Sequence, residues 1–152
     1  MAEGGAERVR GRAAIGSTLL ALVSGVVDLW AVTCLGGPFA SVVTGNLVVA
    51  GGAAGRGDVA GLWPPLVAVA GFASGVAIWS WAWRRRPATV GWPLAAELVV
   101  LGALAVVWAP GAGTPPPALA LLLLGVAGLA MGAQSSTALR LGESTTYLTG
   151  TP

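Results

Sequence analysis

Residues 42–55 read VVTGNLVVAGGAAG, and this short apolar stretch decides how the chain is arranged. At 1.5 Å per residue, a helix over these 14 residues would be about 21 Å long. The hydrocarbon core of a bilayer is about 30 Å thick, so such a helix would not cross it comfortably. We therefore expect a half-helix that lies partly in the membrane and returns the chain to the side it came from.

The remainder of the chain has the composition of an integral membrane protein. Of its 152 residues, 55% are hydrophobic and 9% are charged, and the mean hydropathy is +0.80. Four apolar runs have roughly the 20 residues that cross a bilayer as a helix, namely residues 13–35, 62–83, 92–109 and 118–139. We predict an all-α fold: a polytopic transmembrane helix bundle that forms one domain over residues 13–152, after a cytoplasmic segment at residues 1–12.

The charged residues favour the re-entrant path for residues 42–55. All eight basic residues are Arg, and short loops rich in Arg stay in the cytoplasm. If residues 42–55 crossed the membrane, four Arg would lie on each side. If they return, seven lie inside and only Arg56 lies outside. We therefore predict a multi-pass protein of the plasma membrane with a cytoplasmic N-terminus.

Two acids lie inside the predicted spans. Asp28 lies well within the first span, where an ionised side chain costs about 2.5–3.5 kcal/mol. Because no Arg lies inside a span, its expected partners are the hydroxyl and amide groups of Thr44, Asn46 and Gln134. Glu97 lies near the start of the third span, where it either extends to water or has a functional role.

The Thr-Gly-Asn motif has side chains suited to begin a helix inside a membrane. Non-helical backbone is tolerated at that depth only when protein or an aqueous cavity surrounds it. We expect Thr44 to cap the first N–H groups, Gly45 to permit an unusual backbone or a close approach, and Asn46 to contribute a carboxamide. The positive end of the helix dipole would then face an anionic group, either Asp28 or a ligand.

A second copy of this arrangement lies near the end of the sequence. Residues 25–28 (GVVD) and 44–46 (TGN) are matched by residues 132–135 (GAQS) and 149–151 (TGT). We predict an internal repeat whose second half-helix begins at residue 147. Since the first predicted span runs outward and the fourth inward, the copies are inverted, as in many secondary transporters. The alternative is a coincidence between Gly-rich and Thr-rich apolar sequences.

A series of motifs runs in order along nearly the whole chain. They are Gly-x-x-Asp at residues 25–28, Gly36-Gly37-x-Phe39, Thr44-Gly45-Asn46-Leu47, Gly57-Asp58, Gly132-x-Gln134, Arg140-Leu141-Gly142 and Thr145-Thr146-x-x-Thr149-Gly150-Thr151. This series resembles the YoaK family of bacterial membrane proteins, also called DUF1275, which has no known function. The resemblance implies a location in the bacterial plasma membrane.

This chain departs from the family pattern in two places. Family members usually have Asn where this chain has Ser135, so the resemblance assigns no amide role there. The family pattern also continues past Thr-Gly-Thr through a short helix and two further spans. The resemblance therefore implies that the sequence covers the first half and the start of the second, as a truncated chain would, and that oligomerisation would complete the paired site.

These features predict a transporter or permease-like protein for a small molecule or an ion. The alternative is a non-transporting accessory or assembly subunit whose polar groups only hold irregular backbone in place. The candidate substrate or ion site consists of Asp28, Thr44, Gly45, Asn46, Gln134, Ser135, Thr149, Gly150 and Thr151.

Other classes of function have little support in the sequence. The chain has no His and one Cys, and Ser24 and Ser135 have no base of the kind that nucleophilic catalysis needs. We therefore expect no enzymatic activity, no metal and no cofactor. The basic run at residues 84–86 follows a span directly, which is typical of a topology anchor rather than a nucleic-acid site. The expected partners are the lipid bilayer, a small solute and further copies of the chain.

Overall fold

The protein is all-α, as the sequence predicts. A computed structural model describes residues 3–85, 91–111, 113 and 115–140. This part of the chain has no strand, and its five α-helices are α1 (Glu3–Cys34), α2 (Val43–Gly55), α3 (Val59–Arg85), α4 (Gly91–Trp108) and α5 (Pro117–Arg140), with a 3-10 turn at Ala109–Gly111.

Within the described part of the chain, three helices are long and apolar enough to cross a membrane. They are Ala14–Cys34 within α1, Val59–Arg85 and Pro117–Leu139. The apolar part of α4, Leu94–Trp108, is shorter and is about 22 Å long at 1.5 Å per residue. The third predicted span, at residues 92–109, therefore stays a prediction. The 13 residues of α2 give a helix of about 20 Å, which has the length expected of a half-helix.

Glycines bring α3 and α5 into backbone contact. A Cβ atom on Gly128 would lie 2.7 Å from the carbonyl oxygen of Ala68, and Cβ atoms on Gly71 and Gly75 would overlap the carbonyl groups of Gly125 and Leu129. Small residues at this spacing allow the two helix backbones to approach closely. Since positions 71 and 75 face positions 125 and 129 in the same order, α3 and α5 run parallel.

The other two long helices run in the opposite direction. Gln134, late in α5, bonds to Leu20 and Ser24, in the first part of the apolar stretch of α1. Trp30, late in α1, packs edge to face on Trp108 of α4, with 6.1 Å between the ring centroids. Because α4 also packs against α5 and a short connection joins them, these two are antiparallel neighbours. Thus α1 and α4 run one way, and α3 and α5 the other.

These directions settle the path of α2 within the bundle. Because α1 and α3 are antiparallel, α1 ends and α3 begins at the same end of the bundle. A three-residue turn, 56–58, joins α2 to α3, and the two helices pack together, so they too are antiparallel. The half-helix therefore returns the chain to the end from which it started.

The turn between α2 and α3 is built from local hydrogen bonds. Gly57 has a φ of 68°, in the left-handed region that glycine adopts without strain. The Asp58 carboxylate accepts a hydrogen bond of 2.9 Å from the N–H of Gly61 and so caps the start of α3.

The buried core lies where α1, α4 and α5 meet. The α1 side contributes Val27, Ala31 and Leu35, the last of which directly follows the helix. They pack with Leu104 of α4 and with a row of almost fully buried side chains on α5, namely Leu123, Leu124, Ala127, Ala130 and Met131. In contrast, little of the apolar stretch of α1 is buried, as for a helix that faces lipid.

Candidate solute-binding site

The site is built around the irregular segment at residues 35–42, which joins α1 to α2. Gly36 and Gly37 have φ values of 99° and 104°, which side chains with a Cβ rarely adopt. Pro38 follows and has no N–H to continue a helix. The sequence Gly-Gly-Pro therefore ends α1 and turns the chain back along it.

Asp28 holds the returning segment against α1. Its Oδ1 accepts hydrogen bonds of 2.8 Å from the backbone N–H groups of Ala40 and Ser41, and its Oδ2 accepts one from the Ser41 hydroxyl. Cys34, where α1 ends, lies six residues after Asp28 in the sequence, or about 9 Å along the axis. The chain therefore folds back by roughly this distance before α2 begins.

The predicted partners of Asp28 were wrong. The structure pairs it with the loop rather than with Thr44, Asn46 or Gln134. The physical reason is that a segment outside regular structure has unpaired backbone N–H groups, which need an acceptor when they are buried. A carboxylate forms charge-assisted hydrogen bonds with such donors, and these are stronger than bonds between neutral groups.

Asn46 makes the second connection to this segment. Its Nδ2 donates to the carbonyl oxygen of Phe39 over 2.6 Å, and its Oδ1 accepts from the N–H of Phe39 over 2.9 Å. The carboxamide therefore pairs with both backbone groups of one residue, as a neighbouring strand would. Asn46 is 1% exposed, and its carboxamide holds the segment before α2 rather than the first N–H groups of the helix.

The prediction for Gly45, a close approach, is confirmed, and the prediction for Thr44, a helix cap, is wrong. A Cβ on Gly45 would lie 3.2 Å from Cγ1 of Val42 and 3.3 Å from Cδ2 of Phe39, so the close approach is confirmed. Thr44 does not cap α2, because the helix begins two residues earlier than the motif suggests. Val42 is the N-cap residue and makes no side-chain cap hydrogen bond.

The start of α2 is left with unused hydrogen-bond donors. Among the residues that the structure describes, no acceptor pairs with the backbone N–H groups of Val43, Thr44 and Gly45. Such groups are the first-turn donors that a helix cannot satisfy internally. The Thr44 side chain beside them is exposed, so a ligand at this position would meet a hydroxyl group and several N–H groups.

Gln134 joins α5 to α1 and does not reach Asp28. Its Nε2 donates to the Leu20 carbonyl over 2.7 Å, and its Oε1 accepts from the Ser24 hydroxyl over 3.2 Å. Gln134 is 1% exposed, whereas the neighbouring Ser135 is half-buried. The structure thus separates the candidate residues into a cluster at the start of α2 and a connection between α1 and α5.

Part of the predicted site lies outside the described residues. This holds for Thr149, Gly150 and Thr151 and for the half-helix predicted from residue 147. The opposite directions of α1 and α5 are what an inverted repeat requires, and the repeat itself stays a prediction.

Two residues of the site escaped sequence reasoning. Ala40 and Ser41 bind Asp28, and Ala40 does so only through its backbone, which no side-chain pattern reveals. Ser41 had a usable signal, since a Ser just before an apolar helix commonly makes local hydrogen bonds. Its hydroxyl bonds to the carboxylate of Asp28 instead.

The described residues also contain an apolar cavity and a lone buried acid. The cavity, about 490 Å³, lies between α1 and α4 and is lined by apolar and aromatic side chains that include Trp30 and Trp108. The acid is Glu97 of α4, which is 7% exposed. No group of three or more His, Cys, Asp or Glu that could hold a metal ion is found in the described part of the chain.

The long apolar helices and the half-helix define the class of protein: a polytopic α-helical membrane protein. A family model described as "Protein of unknown function (DUF1275)" matches residues 16–152. The chain belongs to this family, which confirms the resemblance carried by its motifs. Neither the comparison with curated proteins nor that with solved structures found a match.

Proposed function

We propose that this protein is a transporter or permease-like protein that moves a small anionic solute across the bacterial plasma membrane. The observation that carries the proposal is the start of α2, where the N–H groups of three residues have no partner among the described residues, beside the exposed Thr44. The N-terminus of a helix favours anions through its free donors and its dipole. In secondary transporters, half-helices of this kind direct their N-termini at anionic groups of the substrate.

The residues of the site then have different roles. The Thr44 hydroxyl and the first N–H groups of α2 contact the solute. Asp28 and Asn46 are positioning residues, because their polar atoms are bound to the segment that leads into α2. Gln134 holds α5 against α1.

The proposed topology places the N-terminus in the cytoplasm and Arg56 outside. The helix directions support it, because α1 ends and α3 begins at the same end of the bundle. A single Cys at position 57, in a Cys34→Ser background, would then react with a membrane-impermeant thiol reagent on intact cells, whereas a Cys at position 88 would not. The reverse pattern would refute this topology.

Uptake into proteoliposomes tests the transport function. The purified protein is reconstituted, and the uptake of radiolabelled acetate, lactate, phosphate and sulfate is measured against protein-free vesicles. We expect saturable uptake of at least one of these anions. Thr44→Val removes one hydrogen-bond donor to the solute and should lower uptake about tenfold, since a lost bond of about 1.4 kcal/mol corresponds to this factor.

Thr18→Val is the matched control for this variant. Thr18 is also exposed on an apolar helix, but its hydroxyl donates to the Ala14 carbonyl of its own helix over 2.9 Å. This substitution should leave uptake unchanged. The proposal fails if none of the four anions is taken up above the protein-free background, or if the two variants lower uptake equally.

A non-transporting accessory subunit is the second candidate function. It is favoured by the fact that Asp28, Asn46 and Gln134 all use their polar atoms within the chain. In that case Asp28→Asn would release a stoichiometric partner from the protein purified under mild conditions, and no anion would enter the vesicles. If the protein is a transporter, it purifies without a partner, and the Asp28→Asn variant still takes up the anion.

A further inference from the structure

Glu97 is a buried acid that the proposed solute site does not use. It lies on α4 and is 7% exposed. Across residues 3–85, 91–111, 113 and 115–140, no side chain or backbone group forms a hydrogen bond or an ion pair with it. Asp28 differs sharply, because three donor groups surround its two oxygens.

The sequence places few ionisable groups on the helices next to Glu97. On α5, which packs against α4, the only ionisable side chain is Arg140, at the very end of the helix. Across the cavity, the apolar stretch Ala14–Cys34 of α1 contains only Asp28 and Cys34 as ionisable groups. A buried carboxylate without a partner loses its hydration and gains nothing in return, whereas the protonated acid needs no counter-charge.

Glu97 also lies at a defined depth in the bundle. It precedes Trp108 by 11 residues, and Leu20 precedes Trp30 by 10 residues. The two Trp rings are in contact, and α1 and α4 run in the same direction. Glu97 is therefore at about the level of Leu20, where Gln134 joins α5 to α1.

We propose that Glu97 is a proton-binding site within the membrane domain, and that its proton is the coupling ion of the cycle. The second part rests on the proposed transport function. In each cycle the carboxylate takes up one proton from water on one side, becomes the neutral acid, and gives the same proton to water on the other side. No electron is transferred, and no co-reactant other than water is needed.

Labelling with dicyclohexylcarbodiimide tests the proton site. This apolar reagent partitions into membranes and adds to protonated carboxyl groups. The acid proton moves to a carbodiimide nitrogen, the carboxylate oxygen attacks the central carbon, and the adduct rearranges to a stable N-acylurea. Folded protein in liposomes is treated at acidic and alkaline pH, and the modified peptide is identified by mass spectrometry.

We expect one main adduct, at Glu97, which forms more slowly at alkaline pH. Asp28 should stay unmodified, because the N–H groups of Ala40 and Ser41 hold its carboxylate. Glu97→Gln has the same shape without the proton and should lose the adduct, whereas Glu97→Asp should keep it. The proposal is overturned if Glu97 is modified in unfolded protein but not in folded protein, or if Asp28 reacts as fast.

The labelling experiment and the uptake assay test the proton site and the transport function separately. Labelling needs no solute, so a labelled Glu97 without any uptake would refute the transport function alone. Where uptake is observed, Glu97→Gln should abolish accumulation driven by a pH gradient while it leaves solute exchange at equal pH intact. Unchanged gradient-driven accumulation in this variant would overturn the coupling role, whereas loss of both activities would indicate a structural role.

Discussion

Replacing Asp28 tests whether its carboxylate holds the segment before α2 in position. In Asp28→Ala the N–H groups of Ala40 and Ser41 lose their acceptor. Each buried donor left unpaired costs about 1–3 kcal/mol, so the free energy of unfolding should fall by about 2–6 kcal/mol. In Asp28→Asn the amide oxygen still accepts both bonds, and the loss is limited to the charge assistance, about 1–2 kcal/mol.

The measurement is unfolding in mixed detergent micelles, followed by the fluorescence of the seven Trp residues. Asp58→Ala is the matched control, because Asp58 caps α3 through one hydrogen bond at an exposed position and its loss costs about 0.5–2 kcal/mol. The expected order of destabilisation places Asp28→Ala well above the other two. Equal destabilisation by the Asn and Ala variants, or an unchanged free energy of unfolding in Asp28→Ala, would refute the role of Asp28 in holding residues 40 and 41 against α1.

Four further substitutions, of which Gly102→Ala is a matched control, use the same unfolding measurement on separate parts of the structure. Gly128→Ala places a Cβ 2.7 Å from the carbonyl oxygen of Ala68 and should lower the free energy of unfolding by about 1–3 kcal/mol. Gly102→Ala is the control, because the space around it is open; it should leave the free energy of unfolding unchanged or raise it by about 0.5–1 kcal/mol. Asn46→Ala leaves the N–H and the carbonyl oxygen of Phe39 without their partner and should lower the free energy of unfolding by about 2–4 kcal/mol. A loss below about 1 kcal/mol would contradict the pairing of Asn46 with Phe39. Gln134→Leu keeps the volume but removes two interhelical hydrogen bonds, and it should cost about 1 kcal/mol, since such bonds average about 0.6 kcal/mol in membranes.

The fold was predictable from the sequence because the membrane leaves few alternatives. Apolar runs of sufficient length can be satisfied only as helices there. The length of residues 42–55 and the Arg count then favoured a return over a crossing. The Gly71-x-x-x-Gly75 spacing is typical of close helix packing, but it does not identify α5 as the partner, because many helices carry small residues at this spacing.

The candidate site was only partly predictable. The sequence predicted that Asn46 contributes a carboxamide to the motif, a group that both donates and accepts hydrogen bonds. Its partner, Phe39, and the partners of Asp28 contribute backbone groups, and any residue type has these. Thr44 was misassigned because the motif does not fix the first residue of the helix. The N-cap is Val42, two positions earlier, so Thr44 lies within the first turn of α2 and is not its cap.

The contact between Asp28 and Ser41 also bears on how the chain enters the membrane during synthesis. The acid is made 13 residues before its partner, so α1 reaches the bilayer with a carboxyl group that has nothing to bind. An unpartnered acid at that depth costs about 2.5–3.5 kcal/mol. The helix gains full stability in lipid only after the next segment has emerged and folded back onto it. We therefore expect α1, the loop and α2 to leave the translocation machinery as one unit.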